Sequence, residues 1–373
     1  MKDKYILTAE SVTAGHPDKL CDTIADSILD ACLKDDPNAR VACEVLATAG
    51  KILVAGELRT TASPDVETIV RQTVQNAGYD CNYHVEVRLH TQSPDIAEAV
   101  DGETLGAGDQ GIMYGYACWE TVELLPAPVV LANRITSLLT ICREENLISG
   151  IGPDGKAQVS VQYAFGVPER VDTIVISCQH DADKDPDELR GELRRLVIAR
   201  ACHDVRIDEN TKIFINPSGR FVLGGFEADT GLTGRKLMVD TYGGLAPHGG
   251  GALSGKDGTK VDRSGAYMAR FIAKNIVAAG FAQRCQVTLA YAIGEREPVM
   301  VDVNTFGTGG PCEDDCLSTA VRKAYDLTPA GIIKQLNLLN PIYSRTAAGG
   351  HFGREDFPWE NVEHMSDLAA YIV

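Results

Sequence analysis

The sequence predicts an α+β fold of three related domains with pseudo-three-fold symmetry, each a mostly antiparallel sheet covered by helices. One order of elements occurs three times along the 373 residues: a helix, two strand-like runs, and a second helix that begins with acidic residues. Short turns join the two strands of each pair, and such turns connect antiparallel neighbours, whereas parallel strands need long crossovers. A doubly wound parallel sheet is therefore not expected.

The first occurrence begins with a helix over residues 18–34, whose apolar residues recur on one face. Strands over 41–48 and 51–58 follow. A second helix then runs to about residue 76, with Ser63 as its cap and Pro64 at its first position.

The other two occurrences have the same order. The second has a helix over 128–145, strands over 157–165 and 170–179, and a helix that starts at Asp185. The third has a helix over 262–279, strands over 286–293 and 298–305, and a helix over 314–325. We predict domains over residues 1–98, 106–223 and 224–373, and the domains can exchange segments.

Composition argues against several classes of protein. A formal net charge of -17 does not supply the basic surface that nucleic-acid binding needs. The apolar stretches are too short to span a membrane, and the N-terminus lacks the apolar core of a signal peptide. The eleven cysteines are scattered through apolar segments, which is typical of free thiols in a reducing compartment. We therefore expect a cytoplasmic protein with no nucleic-acid or membrane partner.

The most informative stretch covers residues 247–264, where five glycines alternate with cations and carboxylates. Glycines let the backbone approach a ligand closely, and clustered cations suit a polyphosphate. Asp257 and Asp262 add the hard oxygen ligands that Mg²⁺ prefers beside phosphate. A P-loop does not fit, because Asp257 follows Lys256 where that motif needs Ser or Thr. The stretch predicts a Mg–polyphosphate site.

Two further polar loops point to the same ligand class. The first precedes the helix over 18–34, where His16 can hydrogen-bond a phosphate oxygen and Asp18 can hold Mg²⁺ at a helix N-terminus. The second, over residues 106–111, has the letters of a dinucleotide fingerprint but follows no predicted strand. We interpret it as a mobile loop that closes over the substrate and contributes Asp109.

These stretches, in this order along the whole chain, resemble the signature sequences of the S-adenosylmethionine synthetases, also called methionine adenosyltransferases. So do residues 216–221, 231–236, 239–244 and 351–359. The resemblance implies three α+β domains about a pseudo-three-fold axis. It also implies that ATP and L-methionine are joined to give S-adenosylmethionine, and that the tripolyphosphate is then hydrolysed to pyrophosphate and phosphate.

The resemblance also implies roles for individual residues. Two Mg²⁺ ions per site would be held by Asp18 and Asp262, and one K⁺ by Glu44. Methionine would be bound by Glu57, Gln92, Asp109, Asp229 and Lys260. ATP would be bound by His16, Asp154, Lys156, Arg220, Phe221, Asp229, Arg235, Lys236, Ala252 and Lys256, among which His16, Lys156, Arg235 and Lys256 would be catalytic. The sites would lie between the subunits of a homodimer or of a homotetramer that is a dimer of dimers.

Two departures and two alternatives remain at this point. The segment over 78–92 is shorter than in bacterial members, and Ala14 stands where an acid is expected. One alternative is another Mg–ATP-dependent phosphotransferase, which would release ADP or AMP and would not consume methionine. The other is a nucleotide-binding regulator without activity. A thioether sulfur has no proton to lose, so the absence of a Ser-His-Asp pattern fits the synthetase chemistry.

Overall fold

The computed structural model describes residues 4–91, 105–310, 312–362 and 368–372. Its helices and strands, in chain order, are β1 (Lys4–Val12), α1 (Pro17–Asp35), β2 (Arg40–Thr48), β3 (Lys51–Arg59), α2 (Val66–Asn76), β4 (His84–His90), β5 (Gly111–Cys118), α3 (Ala127–Glu144), β6 (Ile151–Ala164), β7 (Val167–His180), α4 (Pro186–Glu192), β8 (Lys212–Ile215), β9 (Gly231–Leu232), α5 (Leu237–Asp240), α6 (Val261–Ala278), β10 (Arg284–Tyr291), β11 (Met300–Asn304), α7 (Asp314–Ala324) and α8 (Pro329–Gln335). A π-helical turn, Leu193–Ile198, and a last α-helical turn, Ala199–Ala201, extend α4.

The strands form three sheets in which antiparallel pairs predominate. Their strand orders are β1-β6-β7-β8, β11-β10-β5 and β4-β3-β2-β9. Only the pairs β7–β8 and β3–β4 in these sheets are parallel. The α+β class and the mostly antiparallel sheets predicted from the sequence are thereby confirmed.

Each sheet takes one strand from a distant part of the chain, and the exchange is cyclic. β1 joins the sheet of β6, with Lys4 opposite Ala164. β5 joins the sheet of β10, with Gly111 opposite Tyr291. The short β9 joins the sheet of β2, with Leu46 opposite Leu232. The boundaries 1–98, 106–223 and 224–373 stay a prediction about segments of the chain, because the strands of one sheet come from two segments.

The predicted helices and hairpins are confirmed within a few residues, except that β6 begins at Ile151 and not at residue 157. One helix start also needs a correction. The second helix begins at Val66, not at Pro64, and its cap is Asp65, not Ser63. The Asp65 carboxylate accepts the backbone N–H and the hydroxyl of Thr68 at 3.1 and 2.8 Å, so it satisfies a free donor of the first turn. The strands β1, β4, β5, β8 and β9 were not predicted.

Apolar residues form two cores. One lies around α3, β6, β7 and the extended α4. The larger one joins the other two sheets and contains α1 and α6. Among the residues that the structure describes, no helix combines the length and hydropathy that a bilayer crossing requires.

The expectation of free thiols is wrong for one pair of cysteines. Cys312 and Cys316 form a disulfide at the start of α7, where their Cα atoms are 5.9 Å apart, a separation that a disulfide can span. The other nine cysteines are free, and eight of them are buried.

Candidate active site

Four aspartates, spaced four residues apart, line one face of α1 and fasten the polar loops to it. In a helix this spacing places side chains on one face, one above the other. Their carboxylates accept backbone N–H groups from the loops: Asp18 from Leu232 at 3.0 Å, Asp22 from Gly234 at 2.9 Å, Asp26 from Gly255 at 2.8 Å, and Asp30 from Tyr343 and Ser344 at 2.9 and 2.8 Å. Sequence reasoning missed this row of four aspartates, which we call the aspartate ladder, although their spacing of four residues is visible in the sequence.

Cations balance the two buried central carboxylates of the ladder. Lys19 donates to Asp22 at 2.9 Å and also to Asp240, and all three side chains are buried. Arg263 donates to both oxygens of Asp26 at 2.7 and 2.9 Å. Burial raises the pKa of Asp22 to about 7, although Lys19 opposes this shift. The ladder therefore holds the loops through buried, hydrogen-bonded ion pairs. Removal of one partner would leave a buried charge without compensation and would destabilise the attachment of the loop.

A first cluster of predicted site residues surrounds the N-terminus of α1. Lys236 donates to Asp18 at 2.5 Å, and the Nε of Arg235 lies 3.6 Å from the same carboxylate. Lys156, from β6, lies 3.6 Å from Glu10 on the neighbouring β1. Asp229 is exposed and close enough to affect the titration of His16. Three cations thus converge at a helix N-terminus, which suits an anion.

The ring of His16 caps α1 and is held in its neutral form. Its Nδ1 accepts the backbone N–H of Asp18 at 3.2 Å, so the proton of the neutral ring is on Nε2. Burial, followed by the charge of Lys236, lowers the pKa of His16 to about 4. His16 therefore presents a neutral Nε2–H donor at neutral pH.

Three residues predicted to bind ATP, Asp154, Arg220 and Phe221, lie at the adjoining end of β6 and β7. Asp154 accepts the backbone N–H of Gly225 at 2.9 Å, and burial raises the pKa of its carboxyl group to about 6. The Phe221 oxygen accepts the backbone N–H of His180, the last residue of β7, at 2.8 Å, and the Phe221 N–H donates to the His180 ring at 3.2 Å. Arg220 is exposed. These residues border the first cluster, because Lys156 is two positions beyond Asp154 on β6.

A second cluster lies at the start of α6. Lys256 donates to Asp262 at 2.6 Å, and both side chains are partly exposed. Lys260 donates to Asp257 at 2.6 Å, and Asp257 is fixed by the backbone N–H of Val41 at 2.7 Å. Ala252 joins this loop to the first cluster, since a Cβ added at Gly234 would lie 2.6 Å from the Ala252 side chain.

The second cluster continues across the open face of the sheet β4-β3-β2-β9. Lys256 forms a β-bridge with Ala42 of β2, and Ala42 pairs with Glu57 of β3. Glu44, two residues beyond Ala42, is exposed on that face. Glu57 lies 3.2 Å from His90 of β4. Glu44, Glu57 and Lys256 therefore share one face of a sheet.

Each cluster has its own ion pair of an aspartate and a lysine. Asp18 pairs with Lys236 and Asp262 pairs with Lys256. The loop that carries Lys236 is held by the ladder at Asp18 and Asp22, and the loop that carries Lys256 is held at Asp26. The two predicted Mg²⁺ ligands therefore belong to different ion pairs within one chain.

The first residues of the loop over 106–111 are hydrogen-bonded to the turn at Gly294 and Glu295, and the mobility of the loop stays a prediction. Ala107 is buried, receives the N–H of Gly294 at 2.9 Å and donates to Glu295 at 2.8 Å. A Cβ on Gly106 would lie 2.5 Å from the Gly294 oxygen, so the two turns touch through their backbones. Asp109 is exposed, and Gly111 already begins β5. Gln92, which was predicted to bind methionine, and the polar residues 101–104 before this loop lie outside the described residues.

Gly251 sets the position of the Asp262 carboxylate, and we expect Gly251→Ala to disturb it. A Cβ at this position would lie 2.2 Å from Asp262 Oδ1, so the carboxylate would have to move. The Mg²⁺ concentration for half-maximal activity should rise about tenfold or more, as when a group that orients a metal ligand is lost. A Mg²⁺ titration of activity measures this change. Gly310→Ala, where the nearest atom to the new Cβ is 3.8 Å away, is the matched control, and equal Mg²⁺ requirements in both variants would contradict the assignment.

The fold and the two clusters define an α+β enzyme that acts on a nucleotide polyphosphate. Family models agree over nearly the whole chain. The N-terminal, central and C-terminal domains of S-adenosylmethionine synthetase match residues 4–103, 104–221 and 223–361. The chain therefore belongs to the S-adenosylmethionine synthetase family. Its reaction is methionine adenosyl transfer, the synthesis of S-adenosylmethionine from ATP and L-methionine, and nothing favours the phosphotransferase alternative.

Proposed function

We propose that each active site is assembled from the first cluster of one subunit and the second cluster of another. The observation that carries this proposal is that Asp18 and Asp262 pair with different lysines within one chain, Lys236 and Lys256. The second cluster opens onto an exposed sheet face that also presents Leu46, 42 % exposed. A two-fold axis through that face would bring unlike clusters together twice, giving two equal sites per homodimer. A homotetramer would then be a dimer of such dimers.

In this arrangement the first cluster binds the triphosphate of ATP and the second completes the site. Lys156, Arg235 and Lys236 surround the phosphates, while Arg220 and Phe221 border the adenosine. Asp154 anchors Gly225 beside that border, and Ala252 lies at the junction of the two loops. Glu57, Asp109, Asp229 and Lys260 provide charges of both signs for the ammonium and carboxylate groups of methionine, together with Gln92.

The chemical step then needs alignment and charge, not proton removal. The methionine sulfur attacks C5′ as the C5′–O bond breaks, and the triphosphate leaves with the bonding electrons. His16 donates its Nε2–H to the phosphate chain at that bond, and its low pKa keeps Nδ1 available for the cap of α1. Lys256 and Arg235 stabilise the negative charge that develops on the leaving group. The same cations hold the triphosphate while a water molecule hydrolyses it to pyrophosphate and phosphate.

The family uses Mg²⁺ and K⁺, and the residues present fit these ions. Within the described ranges no three His, Cys, Asp or Glu side chains meet as a metal cluster. A Mg²⁺ ion beside Asp18 or Asp262 would therefore take one carboxylate from the protein and its other ligands from phosphate and water, as Mg²⁺ commonly does. Mg²⁺ would neutralise phosphate charge. We propose two Mg²⁺ and, at Glu44, one K⁺ per site.

A direct assay tests the proposal that one site performs both steps. The enzyme is supplied with ATP, L-methionine, Mg²⁺ and K⁺, and product mass, pyrophosphate and phosphate are followed together. We expect one S-adenosylmethionine, one pyrophosphate and one phosphate per ATP. Release of free tripolyphosphate would contradict the second step, and formation of ADP or AMP without methionine consumption would contradict the whole assignment.

We also propose a cytoplasmic location, because nine cysteines are free thiols.

A further inference from the structure

A concave pocket of about 350 Å³ lies between α3 and the C-terminal tail. Four parts of the chain form its walls: the loop before α3, α3 itself, the last turn after α4, and residues 349–354. No residue assigned above to ATP, methionine or a metal is among the described residues that line it. Its volume lies within the range of small-molecule sites.

One side of the pocket is apolar. Leu125, Val130, Leu138 and Phe352 line it, and Leu125 and Phe352 are buried in the fold. Apolar walls in a concave site bind the body of a ligand, while a few polar groups orient it.

The polar side of the pocket contains an arginine without a carboxylate partner in the described ranges. Arg354 donates to the backbone oxygens of Ala348 and Arg345, and its guanidinium lies 4.4 Å from the centre of the Phe357 ring. Its Nε is buried and has no hydrogen-bond partner there. Burial, followed by the charge of Arg345, lowers the pKa of Arg354 to about 10. A cation that is largely removed from water and not balanced by an anion is costly, so an anion would stabilise it.

Two further charged side chains on the walls, Arg200 and Glu123, have charge or hydrogen-bonding capacity that no described partner uses. Arg200 is exposed and forms no ion pair among the described residues. Arg134 is already satisfied, by Glu123 at 3.0 Å and Asp204 at 2.7 Å. The second carboxylate oxygen of Glu123, Oε2, is buried, and no donor reaches it in the described structure. The pocket therefore offers two cations for an anion, and the Glu123 side chain, which is 20 % exposed, as an acceptor for a donor.

We propose that this pocket binds a small organic anion, a carboxylate or a phosphate on an apolar body that also carries a hydrogen-bond donor. The anionic group would lie between Arg354 and Arg200, where charge-assisted hydrogen bonds are strongest. The donor would hydrogen-bond the exposed part of the Glu123 carboxylate, and the apolar body would cover Leu125 and Phe352. The protein has a net charge of -17, so this pocket, with its excess of positive charge, attracts anions that the rest of the surface repels.

Matched probes separate the parts of this proposal. We would titrate 4-hydroxybenzoate, 4-hydroxyphenyl phosphate and the neutral 4-hydroxybenzyl alcohol into the enzyme by ligand-observed NMR. Mg²⁺, S-adenosylmethionine and a non-hydrolysable tripolyphosphate analogue would fill the active site first, so that only other sites are measured. At least one anion should bind about tenfold more tightly than the alcohol, which is the worth of one charge-assisted hydrogen bond. The stronger of the two anions identifies the carboxylate or the phosphate as the natural group.

Variants test whether the pocket is the site that is measured. Arg354→Gln should weaken anion binding about tenfold or more. Ser137→Phe should block the pocket without removing a cation, because Ser137 is exposed on the wall formed by α3. Ser137→Phe also tests the site in the case that Arg354→Gln does not fold. Arg195→Gln, at an exposed arginine near Arg200 that does not line the pocket, is the matched control and should bind as the parent does.

Three results would overturn the proposal. The first is equal binding of the alcohol and the anions, which would make the pocket merely apolar. The second is unchanged anion binding in Ser137→Phe, which would place the probes elsewhere. The third is no binding of any probe up to about 20 mM, beyond the range of weak specific sites.

Discussion

A mixed dimer of Asp18→Asn and Asp262→Asn, each inactive as a homodimer, is expected to regain about half of the parent activity. If the first cluster of one subunit meets the second cluster of the other, one site of the mixed dimer carries both substitutions and the other carries neither. The mixed dimer can be obtained by coexpression of the two variants with different affinity tags and purified through both. Specific activity per dimer is the measurement.

The matched control is a mixed dimer of Asp18→Asn and Lys236→Ala. Both positions belong to the first cluster, where Lys236 donates to Asp18 at 2.5 Å, so each site would carry one substitution and activity should stay low. Equal recovery in both mixtures, or recovery in neither, would show that the site is not divided between subunits in this way.

Lys256→Ala should lower kcat about a hundredfold or more and leave the KM for methionine nearly unchanged. The ammonium group of Lys256 lies 2.6 Å from Asp262. In the proposed site it would contact the leaving triphosphate, so its charge would act mainly as the C5′–O bond breaks. Loss of one such preorganised contact costs on the order of 3 kcal/mol in the transition state. Steady-state kinetics with both substrates measure the change.

Two further variants serve as controls. One keeps the positive charge at position 256, and the other removes a lysine outside the proposed site. Lys256→Arg keeps the charge beside Asp262 and should retain more activity than Lys256→Ala. Lys323→Ala removes an exposed lysine from α7 and should leave both parameters unchanged. An unchanged kcat with a raised KM for ATP in Lys256→Ala would assign Lys256 to binding of ground-state ATP alone.

The sequence predicted the elements whose signals are local. The helix over 18–34 and the pairs β2–β3, β6–β7 and β10–β11 follow from periodicity, caps and short turns, which depend on neighbouring residues. β1, β5 and β9 were missed because each becomes a strand only through a partner far along the chain. Tyr5, for example, is opposite Tyr163.

The site was predictable as a set of residues but not as an arrangement. Glycines and cations in residues 247–264 indicated a polyphosphate, because composition alone carries that signal. The ladder of Asp18, Asp22, Asp26 and Asp30 could not be assigned, since acids on a helix are usually solvated and only packing shows what they bind. The pairing of each predicted Mg²⁺ ligand with its own lysine depends on the packing of loops that are distant in sequence, and the sequence does not specify this packing.

The cyclic exchange of strands has a consequence for how the chain acquires its structure during synthesis. The sheet of β2 and β3 is complete only when β9, at Gly231–Leu232, has emerged from the ribosome. At 5–20 residues per second, the N-terminal segment must wait roughly ten to forty seconds for that partner. β1 waits for β6, and β5 waits for β10, so each of these strands stays without its partner until a later segment is translated. The nascent protein thus exposes unpaired strand edges for most of translation, and it is in this interval, not in the finished fold, that it depends on protection from aggregation.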